Sequence, residues 1–482
     1  MTLIFLKHVL LSRLTYLPWV LITNTTQEQD SESFYRNRMM SSSSSTVLLR
    51  RFSSVASKPW TTRMSDDRFN LLKRVIDSPS PVNLEGAMTF GVIEPFMKSL
   101  NQTWKYHRFL GSASLVVDSW TKSTKPDLTI MVVGHADKIR MQVRHIEKSS
   151  GKIYIDSDSF LPIALLGNQV TIFSEKPDEL GSFIKVKGTV EALGAIHFGD
   201  AGHRSGAKGV GPDMLYVDLG CYGPGAADRV SKLGIKPGDA VLMDSPLRRA
   251  VGDDVFQGAY LDNGVGSFVV TDSARILSKE EEYVKALDNV RVLFAIAAHE
   301  EIGRFGSRVL ANKFAPDVLI AIDVNHDYVN APGVGAKRYP PLEMGKGYTI
   351  SVGAVASRKL NEVMQQASKR KNIPVQLDCV GRDTGTDAMA AVLGSVDCAV
   401  GSIGVPTRNM HTSSEAASTK DLDACLYGLA ETILLMSEQK IQRDDFLHSH
   451  VDLSKATLVE SLPPADPKKK KENPDEDAES VA

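Results

Sequence analysis

Five short apolar, β-branched runs constrain this chain most: Leu128–Val133, Ala240–Met243, Val292–Ala298, Val318–Ile322 and Cys398–Ile403. None alternates apolar with polar residues, which is the pattern of strands covered on both faces of a sheet. Helical spacing lies between them. Leu360, Val363, Met364 and Ala367 share one face, as do Leu422, Leu426, Leu429, Ile433 and Met436. Strands alternating with helices predict an α/β fold with a largely parallel sheet flanked by helices. From Met141 to Pro246 the texture changes to Gly, Val and Ile, with short alternating runs such as Val170-Thr171-Ile172-Phe173 and Phe183-Ile184-Lys185-Val186. Such runs, with frequent turn signals, predict a small β-barrel or sandwich inserted into the α/β domain.

Hydrophobic residues make up 42% and charged residues 24% of the 482, which is ordinary globular usage and argues against a fibrous or wholly disordered chain. A net charge of −2, from 56 basic and 58 acidic residues, argues against a protein built to coat nucleic acid or an anionic membrane. Cys221, Cys379, Cys398 and Cys425 form no CxxC pair, so buried free thiols are expected rather than a disulfide framework or thiolate metal site. Ser33 to Ser65 contains no acidic residue but holds Arg36, Arg38, Arg50, Arg51, Lys58, Arg63 and the serine run Ser41–Ser45. That is the composition of a mitochondrial or plastid transit peptide, with a solvated tail on a cytoplasmic protein as the alternative. The resulting division is 1–65 transit segment, 66–140 and 247–442 the two parts of the α/β domain, 141–246 the inserted β domain, and 443–482 a charged tail containing Lys468–Lys471.

The charged residues at strand ends carry the chemistry, because ligands of α/β sheets gather at the carboxyl ends of strands. Gly134-His135-Ala136-Asp137 ends the first run, and Tyr260-Leu261-Asp262-Asn263-Gly264 leads into a helical stretch. Ala298-His299-Glu300-Glu301 ends the Val292 run, Asp323 closes the Val318 run, and Pro406-Thr407-Arg408-Asn409-Met410-His411 follows the last one. Singly, each reads as a turn, a cap or a structural polar residue. Together they offer imidazole and carboxylate ligands without thiolate, a set that suits zinc, cobalt or manganese. Two metals about 3.5–4 Å apart require five or six such ligands with one carboxylate bridging, and this set meets that need. His197, Asp200 and His203 form a second cluster, read as a polar loop of the inserted domain in preference to another metal site.

Gly-His-x-Asp, Asp-Asn-x-x-Gly, Glu-Glu-x-Gly-x-x-Gly, Asp-Val, Gly-Thr-Asp-Ala and Pro-Thr-Arg-x-x-His, in this order, resemble the tetrahedral metallo-aminopeptidases of the zinc-peptidase superfamily. These are glutamyl and deblocking aminopeptidases, sometimes labelled cellulases, and the resemblance runs from about Arg68 to Glu438. It implies that His135 and Asp323 hold one divalent ion, that Glu301 and His411 hold the other, and that Asp262 bridges them. It further implies that Glu300 is the general base acting on a metal-bridging hydroxide and that Asp137 orients His135. Short peptides are then the substrates. The resemblance also implies that the inserted β domain mediates dimerisation, with dimers joining into a tetrahedral dodecamer, and the domain is expected to add nothing to the metal site. Lys138, Gly264 and His299 stand where the family favours Glu, Arg and Gln; none is a ligand position, so altered surroundings rather than a lost site are implied. A deacylase or carboxypeptidase of the same superfamily is one alternative, and a non-catalytic scaffold another. The intact carboxylate cluster opposes the scaffold, because buried charges are costly without a task.

Overall fold

The structure, a computed structural model, describes residues 58–459 apart from 113, 158–159, 193–199, 253, 332, 334–338 and 447–450. Residues 1–57 of the expected transit segment, His197 and Lys468–Lys471 lie outside the described residues.

Three strands open the fold: β1 (Lys105–Phe109), β2 (Ser114–Asp118) and β3 (Leu128–His135). Six strands of the insertion follow: β4 (Met141–Ile146), β5 (Ile153–Asp156), β6 (Gln169–Glu175), β7 (Phe183–Glu191), β8 (Tyr216–Asp218) and β9 (Ala240–Met243). The chain then returns with β10 (Arg248–Arg249), β11 (Val255–Gly258), β12 (Val290–Ala297) and β13 (Val318–His326). It ends with β14 (Tyr348–Gly353), β15 (Val375–Val380), β16 (Ala399–Arg408) and β17 (Glu415–Ser418). The principal helices are α1 (Asp66–Asp77), α2 (Leu261–Lys279), α3 (Phe305–Phe314), α4 (Arg358–Lys371) and α5 (Thr419–Glu438).

The main sheet has the order β1-β2-β12-β3-β13-β16-β17-β11-β10, with β14 and β15 attached beside β16. Its centre, β12-β3-β13-β16, is parallel, as expected for the apolar runs, while antiparallel strands extend both sides. Successive side chains point to opposite faces, and both faces are buried. Ile130 and Val132 join a core with α1, α2, α4 and α5, to which Leu360, Val363, Leu426, Ile433 and Met436 contribute. Met131 and Val133 join a second core with Leu310 and Ala311 of α3. The polar first turn of α5 is held by Ser418, whose side chain accepts from Lys420 N.

The insertion closes into a six-stranded antiparallel barrel, β4-β5-β8-β7-β6-β9. The Ala240–Met243 run therefore belongs to the barrel and not to the parallel sheet. It is buried on both sides because Leu242 and Met243 cluster with Ala259 and Tyr260, which lead into α2. The four cysteines are free, but only Cys425 is buried; Cys379 is exposed, because β15 is an edge strand. Among the described residues no helix is long and apolar enough to cross a membrane.

One close approach positions the site. A Cβ on Gly134, near the end of β3, would lie 2.8 Å from the carbonyl carbon of Gly266 in α2. A Cβ on Gly266 would lie 2.3 Å from both Asn263 Oδ1 and Ile322 O. Only glycine at both positions lets the start of α2 sit against the ends of β3 and β13. Asn263 then bonds across the gap, donating from Nδ2 to Ile322 O (2.8 Å) and accepting from Gly266 N (2.7 Å). Ser267 Oγ donates to His135 O at 2.7 Å. Gly266→Ala should cost about 1–3 kcal/mol by overpacking and lower bound metal. Gly209→Ala, in open space, should do neither. Thermal melts with metal analysis check this, and a wild-type melt for Gly266→Ala would refute it.

Candidate metal centre

Parallel register aligns the strand ends. His135 lies opposite Ala297, and Val133 opposite Ala321, which places Asp323 level with His135. Asp323 does not close its strand, since β13 runs on to His326. Just past β12, Glu300 and Glu301 occupy a tight turn in which Gly303 N and Arg304 N each donate to Glu300 O at 2.9 Å. Asp262 starts α2, and His411 follows β16 with a left-handed backbone at φ 61°.

These side chains converge. His135 Nε2 lies 3.4 Å from Asp262 Oδ1, 3.8 Å from Glu300 Oε2 and 3.8 Å from Asp323 Oδ2. His411 Nε2 lies 3.3 Å from Asp262 Oδ2. Two groups have ligand atoms all within 4.8 Å of one another: His135, Asp262 and Asp323, and Asp262, Glu301 and His411. They share Asp262, with one carboxylate oxygen toward each imidazole. The donor set fits divalent cations. It holds nitrogen and oxygen ligands only, and the buried Glu301 Oε1 has no hydrogen-bond partner among the described residues.

The tautomer of His135 is set by a carbonyl. Its Nδ1 lies 3.0 Å from Asp137 O, an atom that can only accept, so Nδ1 carries the proton and Nε2 faces the cluster. The Asp137 carboxylate is more distant from the ring, with Oδ1 at 3.5 Å from Nδ1, and its Oδ2 instead accepts from Glu301 N at 3.0 Å. Asp137 thus ties the first ligand loop to the third.

Burial dominates the electrostatics. It pushes Glu300 up to about 7, partly opposed by His135 and reinforced by Asp387 and Asp262. Burial likewise raises Glu301 and Asp323 well above the carboxylate range, with the Asp262 charge adding to both. Asp262 goes the other way. Burial would raise it, but hydrogen bonds from His135 and His411 hold it well below the usual range. Burial would lower His135, yet its bonds to Asp137 and Asp262 and the surrounding negative charges raise it.

Several residues around the centre carried no motif signal. Arg304 Nε donates to Glu300 Oε1 at 3.2 Å while its Nη1 holds Asp383 at 3.0 Å. Glu415, 2% exposed, accepts backbone N–H bonds from the Asp262 and His411 loops. Burial, then the charge of Asp262, raise its carboxyl to about 8. The barrel also reaches the centre, contrary to expectation: Phe160 packs edgewise on His411 with ring centroids 6.5 Å apart. Tyr260, two residues before Asp262, sits in the barrel core and accepts from Met243 N at 2.8 Å. Lys138, buried, lies over the Tyr260 ring and donates to Ile76 O and Ser78 O. Gly264 is pressed against Ile76, where a Cβ would meet Cγ1 at 2.6 Å, and His299 Nε2 faces Glu85 at 3.6 Å. Asp200 and His203 make no metal group with other described residues; Asp200 caps a short helix by accepting from Gly202 N.

The cluster opens into a cavity of about 530 Å³ whose far walls include Tyr328, Asp378, Thr386 and Met410. A largely parallel sheet with such a cluster at its strand ends offers a site for divalent cations. The M42 glutamyl aminopeptidase family model matches residues 114–427, and the chain belongs to that family, the tetrahedral metallo-aminopeptidases. Its sequence is similar to lysyl aminopeptidase of Pyrococcus furiosus, 26% identical over 355 residues that cover 74% of this chain and 93% of the relative. Its fold is similar to a TET aminopeptidase from a marine sediment thaumarchaeon, with a TM-score of 0.66 at 22% identity over 78% of this chain and 99% of the other. A Pyrococcus horikoshii TET peptidase, which can assemble into a tetrahedron or a large octahedral shell, matches with a TM-score of 0.58 at 19% identity, covering 75% and 99% of the two chains.

The raised carboxyls determine how the metal-free protein responds to pH. Glu300, Glu301 and Asp323 bind protons more tightly folded than unfolded, so the stability they confer is present at low pH and falls as pH rises through their folded values. The metal-free protein should melt lower as pH rises from about 5 to about 8. Zinc should raise the midpoint more at the upper end. A zinc increment independent of pH would contradict this.

Proposed function

We propose that the protein is an aminopeptidase that removes N-terminal residues from short peptides with two divalent ions per subunit. The observation that carries this is the pair of three-ligand groups sharing Asp262, with Glu300 beside them at 3.8 Å from His135 Nε2. His135, Asp262 and Asp323 would hold one ion, and Asp262, Glu301 and His411 the other; the ligand chemistry suits zinc, cobalt or manganese. Bound ions supply Lewis acidity, which polarises the scissile carbonyl and lowers the pKa of water.

This chain's own residues supply the rest. Arg304 holds Oε1 of Glu300, which leaves Oε2 toward the centre. From there Glu300 takes the proton of the attacking water and returns it to the amine of the leaving peptide. Burial raises this carboxyl toward neutrality, the range in which such transfers are efficient. Asp137 serves indirectly, keeping the His135 and Glu301 loops in register.

Glu300→Gln should keep both metals and lose about 10²–10⁴-fold in kcat, the range for a general base. Asp262→Ala should lose metal, because the shared ligand serves both ions. Hydrolysis of aminoacyl-amide substrates with parallel metal analysis tests both. Turnover by Glu300→Gln within a few-fold of wild type would remove Glu300 from the role.

We also propose a homo-oligomer built through the barrel insertion, where Leu161, Ile163 and Tyr222 are 71%, 76% and 85% exposed. Apolar side chains so displayed gain by being covered, and a tetrahedral shell like that named for the Pyrococcus horikoshii peptidase would cover them. Light scattering should give a mass of a dimer or a multiple of it. A monomer at micromolar concentration would refute the assembly.

A further inference from the structure

We infer that Glu415 is a positioning residue that sets the separation between Asp262 and His411. The inference rests on the two-ion reading above. Glu415 opens β17 opposite Gly258, so its side chain lies beneath the segment Ala259-Tyr260-Leu261-Asp262, and His411 is four residues upstream. One carboxylate reaches both loops. Oε2 accepts from Leu261 N at 2.6 Å and from Asp262 N at 3.2 Å, while Oε1 accepts from His411 N at 2.8 Å.

Tyr260 and His411 both have left-handed backbones, at φ 66° and φ 61°, and left-handed residues interrupt the regular ladders that would otherwise use the neighbouring N–H groups. The buried carboxylate takes the place of those ladders. It fixes the main chain of the one ligand common to both groups relative to the main chain of His411, whose Nε2 lies 3.3 Å from Asp262 Oδ2. A carboxyl group offers an acceptor oxygen at each end, and here each is used. A glutamine would set its NH₂ against either His411 N–H or the Leu261 and Asp262 N–H pair, donor facing donor. The group formed by Asp262, Glu301 and His411 should then lose its geometry, while His135 and Asp323, anchored on β3 and β13, keep theirs.

The test strips the full chain of metal and titrates it with cobalt(II), following the visible absorption and the number of ions bound. Glu415→Gln should bind one ion as wild type does and the second about 10–100-fold more weakly, as expected when a residue that orients ligands is removed. The cobalt spectrum should change, and kcat should fall with KM nearly constant. Two ions bound with wild-type affinity and an unchanged spectrum would overturn the inference. Glu415→Asp, one methylene shorter, cannot span both loops and is read by the same criteria if the glutamine variant does not fold. His411→Ala is measured in parallel. If it too binds two ions as wild type does, the two-ion reading fails; if it loses one and both Glu415 variants keep two, only the role of Glu415 fails.

Discussion

The crowding of like charges in a buried pocket is the constraint on which this structure depends. Asp137, Asp262, Glu300, Glu301 and Asp323 share a small volume with two imidazoles, and repulsion between carboxylates grows as water is excluded. The chain answers mostly with backbone N–H groups. Asp323 accepts from Val324 N at 2.8 Å, Asp137 from Glu301 N, and Glu415 from three amides. Arg304 is the guanidinium that reaches Glu300, from the cluster's edge. Compensation by fixed dipoles behind the carboxylates leaves their inward oxygens available to cations.

The sheet makes that arrangement possible. Four parallel strands bring their carboxyl ends to one line, and helices on both faces keep the strands dry and rigid. The Gly134–Gly266 contact then lowers α2 onto that line, so that Asp262 arrives beside His135 without a longer side chain.

Part of the converging cluster was legible in the sequence because charged residues there interrupt apolar strand patterns at their ends, where an uncompensated charge is expensive. His135, Glu300, Glu301 and Asp323 announce themselves in this way, and their order carries the family resemblance. The barrel was legible from its alternation, although Ala240–Met243 misled because Tyr260 covers its outer side. Glu415 gave no signal. It acts through backbone amides on a short strand, and a lone Glu before Ala416 and Ala417 looks like any turn residue. Phe160 and Arg304 were equally silent, since their partners, His411 and Glu300, are distant or unremarkable in spacing. β1 and β15 were also missed. They extend the sheet at its margins, where one side is less covered and the apolar signal fades.

Tyr260 belongs to the barrel core while lying two residues from Asp262; His411 lies in the loop between β16 and β17, and Glu415 opens β17. Most of the chain therefore precedes the last member of the cluster. His135 comes early in the chain, whereas His411 lies between β16 and β17 near its end. The cluster is thus complete only in a chain that includes its last two strands and the loop between them.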